Sequence, residues 1–221
     1  MDTWFKKQCF HLQIKLLILF KPARLFDKIN QLDWYKNTLQ TWVKDQGFNA
    51  GEKILEVGCA SGSLTAFIAQ SGCIATGADY SKNMLKLAKN RHSNIEFLNA
   101  DATDLPFTDD LFDGVIAASL INIVADKKKA MHELSRTCKK GGVVSILVPA
   151  EKFGDNDFLA LKTVLGIEGF SAAAMEAWHK NPPKMNIADI SQLFKQAGLT
   201  EIRTKHYLQG MVVSVSAVKP A

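Results

Sequence analysis

Cysteine is scarce in this chain of 221 residues: Cys9, Cys59, Cys73 and Cys138 are the only four, and no two of them share a C-x-x-C spacing. That excludes a disulfide framework and a zinc site built on cysteine pairs, and it predicts reduced thiols in a cytoplasmic protein that holds no metal. Long apolar runs are missing as well. Leu12 to Phe20 is far too short to span a bilayer, and Lys15 interrupts it. Lys6-Lys7 ahead of Leu16-Leu17-Ile18-Leu19-Phe20 has the outline of an export signal, yet Lys21-Pro22-Ala23-Arg24 follows where a small-residue cleavage site would be needed. A broad excess of charge is the third absence. The net charge is +5, and residues 1–50 carry eight Lys/Arg against four Asp/Glu, which leaves 19 against 18 for the rest. A nearly neutral body lacks the basic stripe that a nucleic-acid surface requires, so no nucleic-acid partner is expected.

What is present suits one substantial core with a decorating segment, since nearly half of the residues are apolar. The first 50 residues read as helices. Leu12 to Phe20 fits either an amphipathic helix packed over a pocket or a basic interfacial helix touching anionic lipid, which would make residues 1–28 a peripheral membrane contact. Pro22 marks a break, and a second helix is expected from about Asp27 to Gln46, with Tyr35, Leu39, Trp42 and Val43 on one face and Gly47 at its end. Trp34 and Tyr35 are placed to reach a substrate, although aromatic residues at helical spacing equally make core.

From Lys53 the pattern changes to alternating strands and helices, the signature of a doubly wound α/β sheet. Its first unit is Ile54-Leu55-Glu56-Val57-Gly58-Cys59-Ala60-Ser61-Gly62-Ser63-Leu64. A short apolar strand ends in a loop of small residues, and Leu64, Phe67 and Ile68 then recur at helical spacing. Such a loop lets backbone approach a ligand closely. A dinucleotide fingerprint would need glycine at positions 58, 60 and 63, and only Gly58 qualifies. What stands there is acidic-x-Gly-x-Ala-x-Gly, which resembles the first motif of class I S-adenosylmethionine-dependent methyltransferases, with Ala60 where that family has glycine. The Ala60 methyl should narrow the loop without blocking it.

The later motifs follow in the order that this resemblance implies. Asp79 ends the second strand some 21 residues after Gly58, where a carboxylate can grip a ribose hydroxyl pair; as an alternative it caps the next helix, with Ser81 better placed for that duty. Asp79-Tyr80-Ser81-Lys82-Asn83-Met84-Leu85 looks like the family's acidic loop, with Tyr80 and Met84 beside the adenine. Asp101-Ala102, after the strand Ile95 to Leu98, is similar to the third motif, where the carboxylate accepts a hydrogen bond from the exocyclic amine of the base. Phe112 to Ala118 is the fourth strand. Ser119-Leu120-Ile121-Asn122 just beyond it should border both the methionine part of the cofactor and the substrate. The cofactor site implied is thus Glu56, Gly58, Cys59, Ala60, Gly62, Asp79, Tyr80, Met84, Asp101, Ala102, Ser119 and Leu120, holding S-adenosyl-L-methionine and releasing S-adenosyl-L-homocysteine. Glu133 to Gly142 resembles the family's helix ending in a basic double-glycine turn, one glycine capping the helix and the other freeing the turn into a strand Val143 to Val148.

Residues 150–186 read as a helical insertion rich in large apolar groups, a place where this fold carries substrate-binding segments. Trp34, Met175 and Trp178 are the substrate-side candidates. His179, Tyr35 and Asn122 are the candidates to orient or deprotonate an acceptor, with His206 a further one. Asn181-Pro182-Pro183-Lys184 lacks the aromatic fourth residue and the position of an N-P-P-[YF] motif, and a proline turn accounts for it. A last helix, Asn186-capped Ile187 to Ala197, leads to two strands around Gln209-Gly210. The resemblance implies a Rossmann-like, seven-stranded, mostly parallel sheet of order 3-2-1-4-5-7-6 closed by an antiparallel C-terminal hairpin. Residues 1–50 would form a helical lid and 51–221 the methyltransferase domain. The expected function is methyl transfer by in-line displacement to a small, hydrophobic acceptor, as in the group that includes quinone-biosynthesis methyltransferases. The alternatives are a cofactor-binding protein without catalysis and a methyltransferase for nucleic acid or protein.

Overall fold

The computed structural model of the chain describes Phe10, Leu12 to Ile14, Leu16, Leu17 and residues 22–221. Residues 1–9, which include Cys9, and residues 11, 15 and 18–21 lie outside the described residues, and with them four residues of the Leu12 to Phe20 segment and much of the proposed membrane contact. No described helix is long and apolar enough to cross a membrane.

Phe10, Leu12 to Ile14, Leu16 and Leu17 are helical, and α1 (Pro22–Asn30) and α2 (Asp33–Asp45) follow before the sheet. One continuous helix over residues 27–46 was expected. The chain instead starts a helix at Pro22, whose fixed φ and missing N–H suit a first turn, and breaks at Gln31–Leu32, where Leu32 is extended with ψ 132°. Then follow β1 (Lys53–Val57), α3 (Ser63–Gln70), β2 (Ile74–Asp79), α4 (Lys82–Arg91), β3 (Glu96–Asn99), β4 (Phe112–Ala118), α5 (Lys127–Thr137) and β5 (Cys138–Pro149). The insertion resolves into α6 (Asp155–Leu165) and α7 (Gly169–Lys180), and α8 (Ile187–Gln196), β6 (Thr200–Tyr207) and β7 (Val212–Val218) complete the chain.

The seven strands lie in the order β3-β2-β1-β4-β5-β7-β6, as the sequence predicts, with β7 antiparallel to both β5 and β6. Successive side chains of a central strand enter opposite faces: Ile54 packs with α2, α3 and α7, and its neighbours Leu55 and Val57 pack with α5 and α8. The parallel register sets Val57 beside Ala78 and Asp79 beside Asn99. The C-terminal ends of β1 to β4 therefore deliver Glu56, Asp79, Asp101 and Ser119 to one edge, where ligands bind in open α/β sheets.

One expectation fails at the end of α5. Gly141 does have a left-handed φ of 78° but does not cap the helix. The helix stops at Thr137, and its last carbonyls are taken by the N–H groups of Asp110 and Leu111 and by the ammonium of Lys219. Gly141 and Gly142 lie inside β5, exchanging backbone hydrogen bonds with Lys219 just past β7, while on the opposite side the β4–β5 pairing shifts register between Phe112 and Gly114.

Candidate active site

The loop between β1 and α3 is left-handed at every second residue, with φ of 81° at Gly58, 48° at Ala60 and 79° at Gly62. Glycine adopts this without cost; alanine at position 60 is strained by about 1–2 kcal/mol. The strain is held by Asp79, whose Oδ2 accepts the Ala60 N–H at 2.8 Å while Oδ1 accepts the Ser81 N–H at 2.8 Å. One carboxylate thus fastens both ligand-facing loops. Asn99 secures the same turn from β3, donating to the Asp79 and Tyr80 carbonyls at 2.9 and 2.8 Å. Ser81 caps α4 as expected, its Oγ accepting from Met84 N–H.

A cavity of about 1370 Å³ opens over this edge of the sheet. Its lining includes Glu56, Gly58, Cys59, Ala60, Asp79, Tyr80, Met84, Asp101, Ala102, Ser119 and Leu120, which is the expected cofactor set apart from Gly62. Gly62 serves packing: a Cβ there would stand 2.6 Å from the Phe97 ring, so its absence lets α3 close on the sheet. Gly58 faces the cavity, and a Cβ on it would press on Leu120 at 3.3 Å. Asp101 is exposed and held below the ordinary carboxylate range, first by the Thr103 N–H at 2.8 Å on Oδ1, and its Oδ2 has no described partner. Tyr80 is 79% exposed at the rim.

Glu56 is the electrostatic centre. It is buried, and Thr65 hydrogen-bonds it, with Oγ1 donating at 2.5 Å and the backbone N–H also donating. Burial, with the neighbouring Asp79 charge adding to it, pushes its carboxyl up to about 7. A raised carboxyl binds its proton more tightly folded than unfolded, so the contribution to stability is complete below the unfolded value and lost as pH rises through about 7. Stability of the ligand-free protein is therefore expected to decline between about pH 4.5 and 7, and Glu56→Gln to flatten that slope, as thermal melts across this range would register. A melt profile of the same slope in Glu56→Gln would contradict the assignment.

The other candidates divide. Tyr35 is buried, lines the cavity, and shares a hydrogen bond with Ser119, the two hydroxyl oxygens 3.2 Å apart. Burial raises its hydroxyl above the ordinary range. Trp178 lines the cavity, its ring centroid 5.8 Å from that of Tyr35. Trp34 completes the three-ring cluster, 6.1 Å from Trp178, but stands behind the lining with a buried Nε1 that has no described partner. Met175 is core, fully buried. His179 is not at the cavity: it stacks on Phe158 at 5.0 Å, and its Nε2 lies 3.2 Å from Asp155. Asn122 also turns away, donating to the Pro183 carbonyl at 3.1 Å and so tying the loop after β4 to the proline turn. His206 sits on the edge strand β6, paired with Val213.

Sequence reasoning expected a helical lid over residues 1–50 but named none of the α1 residues that line the cavity. Arg24, Phe26, Asp27, Ile29 and Asn30 line the cavity, as do Leu87 and Arg91 of α4, and Asp27 receives a bidentate ion pair from Arg91. Two ordinary charged residues 64 positions apart give no local signal of this contact.

The residues fit an adenosyl amino acid. The buried Glu56 carboxyl, which has no described cationic partner, suits an ammonium, the Asp101 oxygen without a described partner suits an amine donor, and Asp79 has lone pairs left for hydroxyls after accepting its two N–H groups.

Comparison with known proteins agrees. A family model described as a methyltransferase domain matches residues 55–146. The demethylmenaquinone methyltransferase of Clavibacter sepedonicus is 28% identical over 226 residues, covering 91% of this chain and 92% of that protein. Among solved structures, an S-adenosylmethionine-dependent methyltransferase from Aquifex aeolicus superposes with a TM-score of 0.68 at 16% identity, covering 90% of this chain and 99% of its own. The Haemonchus contortus phosphoethanolamine N-methyltransferase 2, in complex with S-adenosyl-L-methionine, gives 0.69 at 16% identity over 94% of this chain and 60% of that one. At such identities the structures speak for the fold.

Proposed function

Since the chain is a class I S-adenosylmethionine-dependent methyltransferase, by its fold, its motif order and its relatives together, we propose that its acceptor is a small, hydrophobic molecule. The observation that carries this is the mixed lining of the cavity. We assign the half around Glu56, Asp79 and Asp101 to the cofactor and the half around Ile29, Leu39, Leu64 and Trp178 to the acceptor, with the hydrogen-bonded Tyr35 and Ser119 between them. A polar or charged acceptor would leave its own groups unpaired against those apolar walls. The demethylmenaquinone methyltransferase relative supports the same class.

When bound, S-adenosylmethionine supplies an electrophilic methyl group on a sulfonium. The chain's residues then have to place a nucleophile in line and keep water out. Tyr35 and Trp178 close the apolar half, and the Tyr35 hydroxyl, already oriented by Ser119, stands where an acceptor hydroxyl can share its hydrogen bond. The raised Tyr35 hydroxyl stays protonated at neutral pH, so it orients the acceptor and does not deprotonate it.

Transfer of a labelled methyl group to apolar hydroquinones and phenols, set against phosphoethanolamine and RNA, tests the proposal. Label on the polar acceptors alone would overturn it. Tyr35→Phe removes only the hydroxyl, and turnover is expected to fall about tenfold, the value of one orienting hydrogen bond, with S-adenosylhomocysteine affinity unchanged. Equal turnover in the variant would remove Tyr35 from the chemistry.

A further inference from the structure

We propose that the Asp27–Arg91 ion pair is a retention clasp for the cofactor, which governs how fast α1 lifts to let cofactor in and product out. The inference rests on the cofactor assignment and extends it to a segment outside the recognised motifs. On α1, Arg24, Asp27 and Asn30 recur every three residues and present one face to the cavity. On α4, Met84, Leu87 and Arg91, spaced by three and then four, also face the cavity, on the helix whose first turn adjoins Tyr80 and Ser81. Both faces line the same cavity as Glu56, Asp79 and Asp101. Arg91 joins them, both of its terminal nitrogens donating to the Asp27 carboxylate, with Nη2 to Oδ2 at 2.9 Å.

Three properties suit this pair to a clasp. Among the described residues it is the one salt bridge that α1 makes. It is bidentate, and the Asp27 side chain is only 12% exposed against 38% for Arg91, so it is worth more than an ordinary surface pair. Its parting is nonetheless reversible, because both ions regain water when α1 lifts, whereas a purely apolar seal would gain nothing on opening. The Gln31–Leu32 break supplies the pivot. Beyond it α2 is fixed to the body, with Trp42 Nε1 donating to Ser145 Oγ at 3.0 Å and Tyr207 Oη to Asp45 Oδ2 at 2.7 Å.

The test is the dissociation rate of S-adenosylhomocysteine from the full chain, followed by surface plasmon resonance. Asp27→Asn and Arg91→Met should each speed dissociation about ten- to a hundredfold, the range for a lost charge-assisted pair. The exchanged double variant Asp27→Arg with Arg91→Asp should slow it again. In the parent protein dissociation should quicken with added salt, and in the single variants it should not. Unchanged rates in variants that melt cooperatively would overturn the clasp alone, as would fast rates that the exchanged pair fails to rescue together with a salt-independent parent. Failure of the parent to bind S-adenosylhomocysteine would overturn both the clasp and the cofactor assignment beneath it.

Discussion

Replacing Asp79 by alanine is expected to weaken S-adenosylhomocysteine binding by at least about 3 kcal/mol, more than a hundredfold, since two modest hydrogen bonds from ribose hydroxyls to a charged acceptor alone sum to that. The effect should exceed the loss of those contacts, because the same carboxylate accepts from Ala60 and Ser81. Without it the N–H of Ala60 loses its partner, and the left-handed conformation at φ 48° is no longer held. Asp79→Asn keeps an acceptor for one N–H and turns an amide donor toward the other, so it should fall between the parent and the alanine variant. Calorimetric titration gives the affinities, and melting curves run beside it separate binding from stability. An alanine variant that melts lower but binds as the parent does would reduce Asp79 to a structural staple.

The sequence exposes the cofactor half well because its chemistry is local. A strand, a loop of small residues and an acidic residue at each following strand end have fixed spacings, and parallel pairing brings equivalent ends to one edge. The dual task of Asp79 is less legible: a carboxylate at a strand end reads as a ribose ligand or as a cap, and its bond to the Ala60 N–H depends on a loop 19 residues away. The acceptor half is harder still. His179 and Asn122 have suitable chemistry, and nothing local reveals that one stacks under Phe158 while the other reaches back to Pro183. Tyr35 passes because helical phase alone turns it inward beside Leu39. Gly141-Gly142 shows the converse error, where a familiar pair of residues follows a helix whose end is already satisfied by Asp110, Leu111 and Lys219.

How much of residues 1–50 can act as a lid depends on where the segment is fastened to the sheet, and Trp42→Ala measures it. A lid of residues 1–50 would be expected to tolerate the change with little effect on the sheet. Trp42, however, is fully buried against the sheet, and its Nε1 donates to Ser145 in the middle of β5. Truncation should cost about 3–5 kcal/mol of global stability, as for other buried aromatic side chains cut to alanine. Trp42→Phe keeps most of the apolar contact and strands the Ser145 hydroxyl, at about 1–3 kcal/mol. Adding Ser145→Ala to it removes the stranded group and should recover part of that loss. Denaturant unfolding of all four proteins gives the numbers. A single transition shifted as a whole would make α2 part of the body and place the hinge at Gln31–Leu32, leaving α1 as the moving element. Two transitions, with only the earlier one shifted, would instead make α1 and α2 one lid, and the clasp would then restrain both helices.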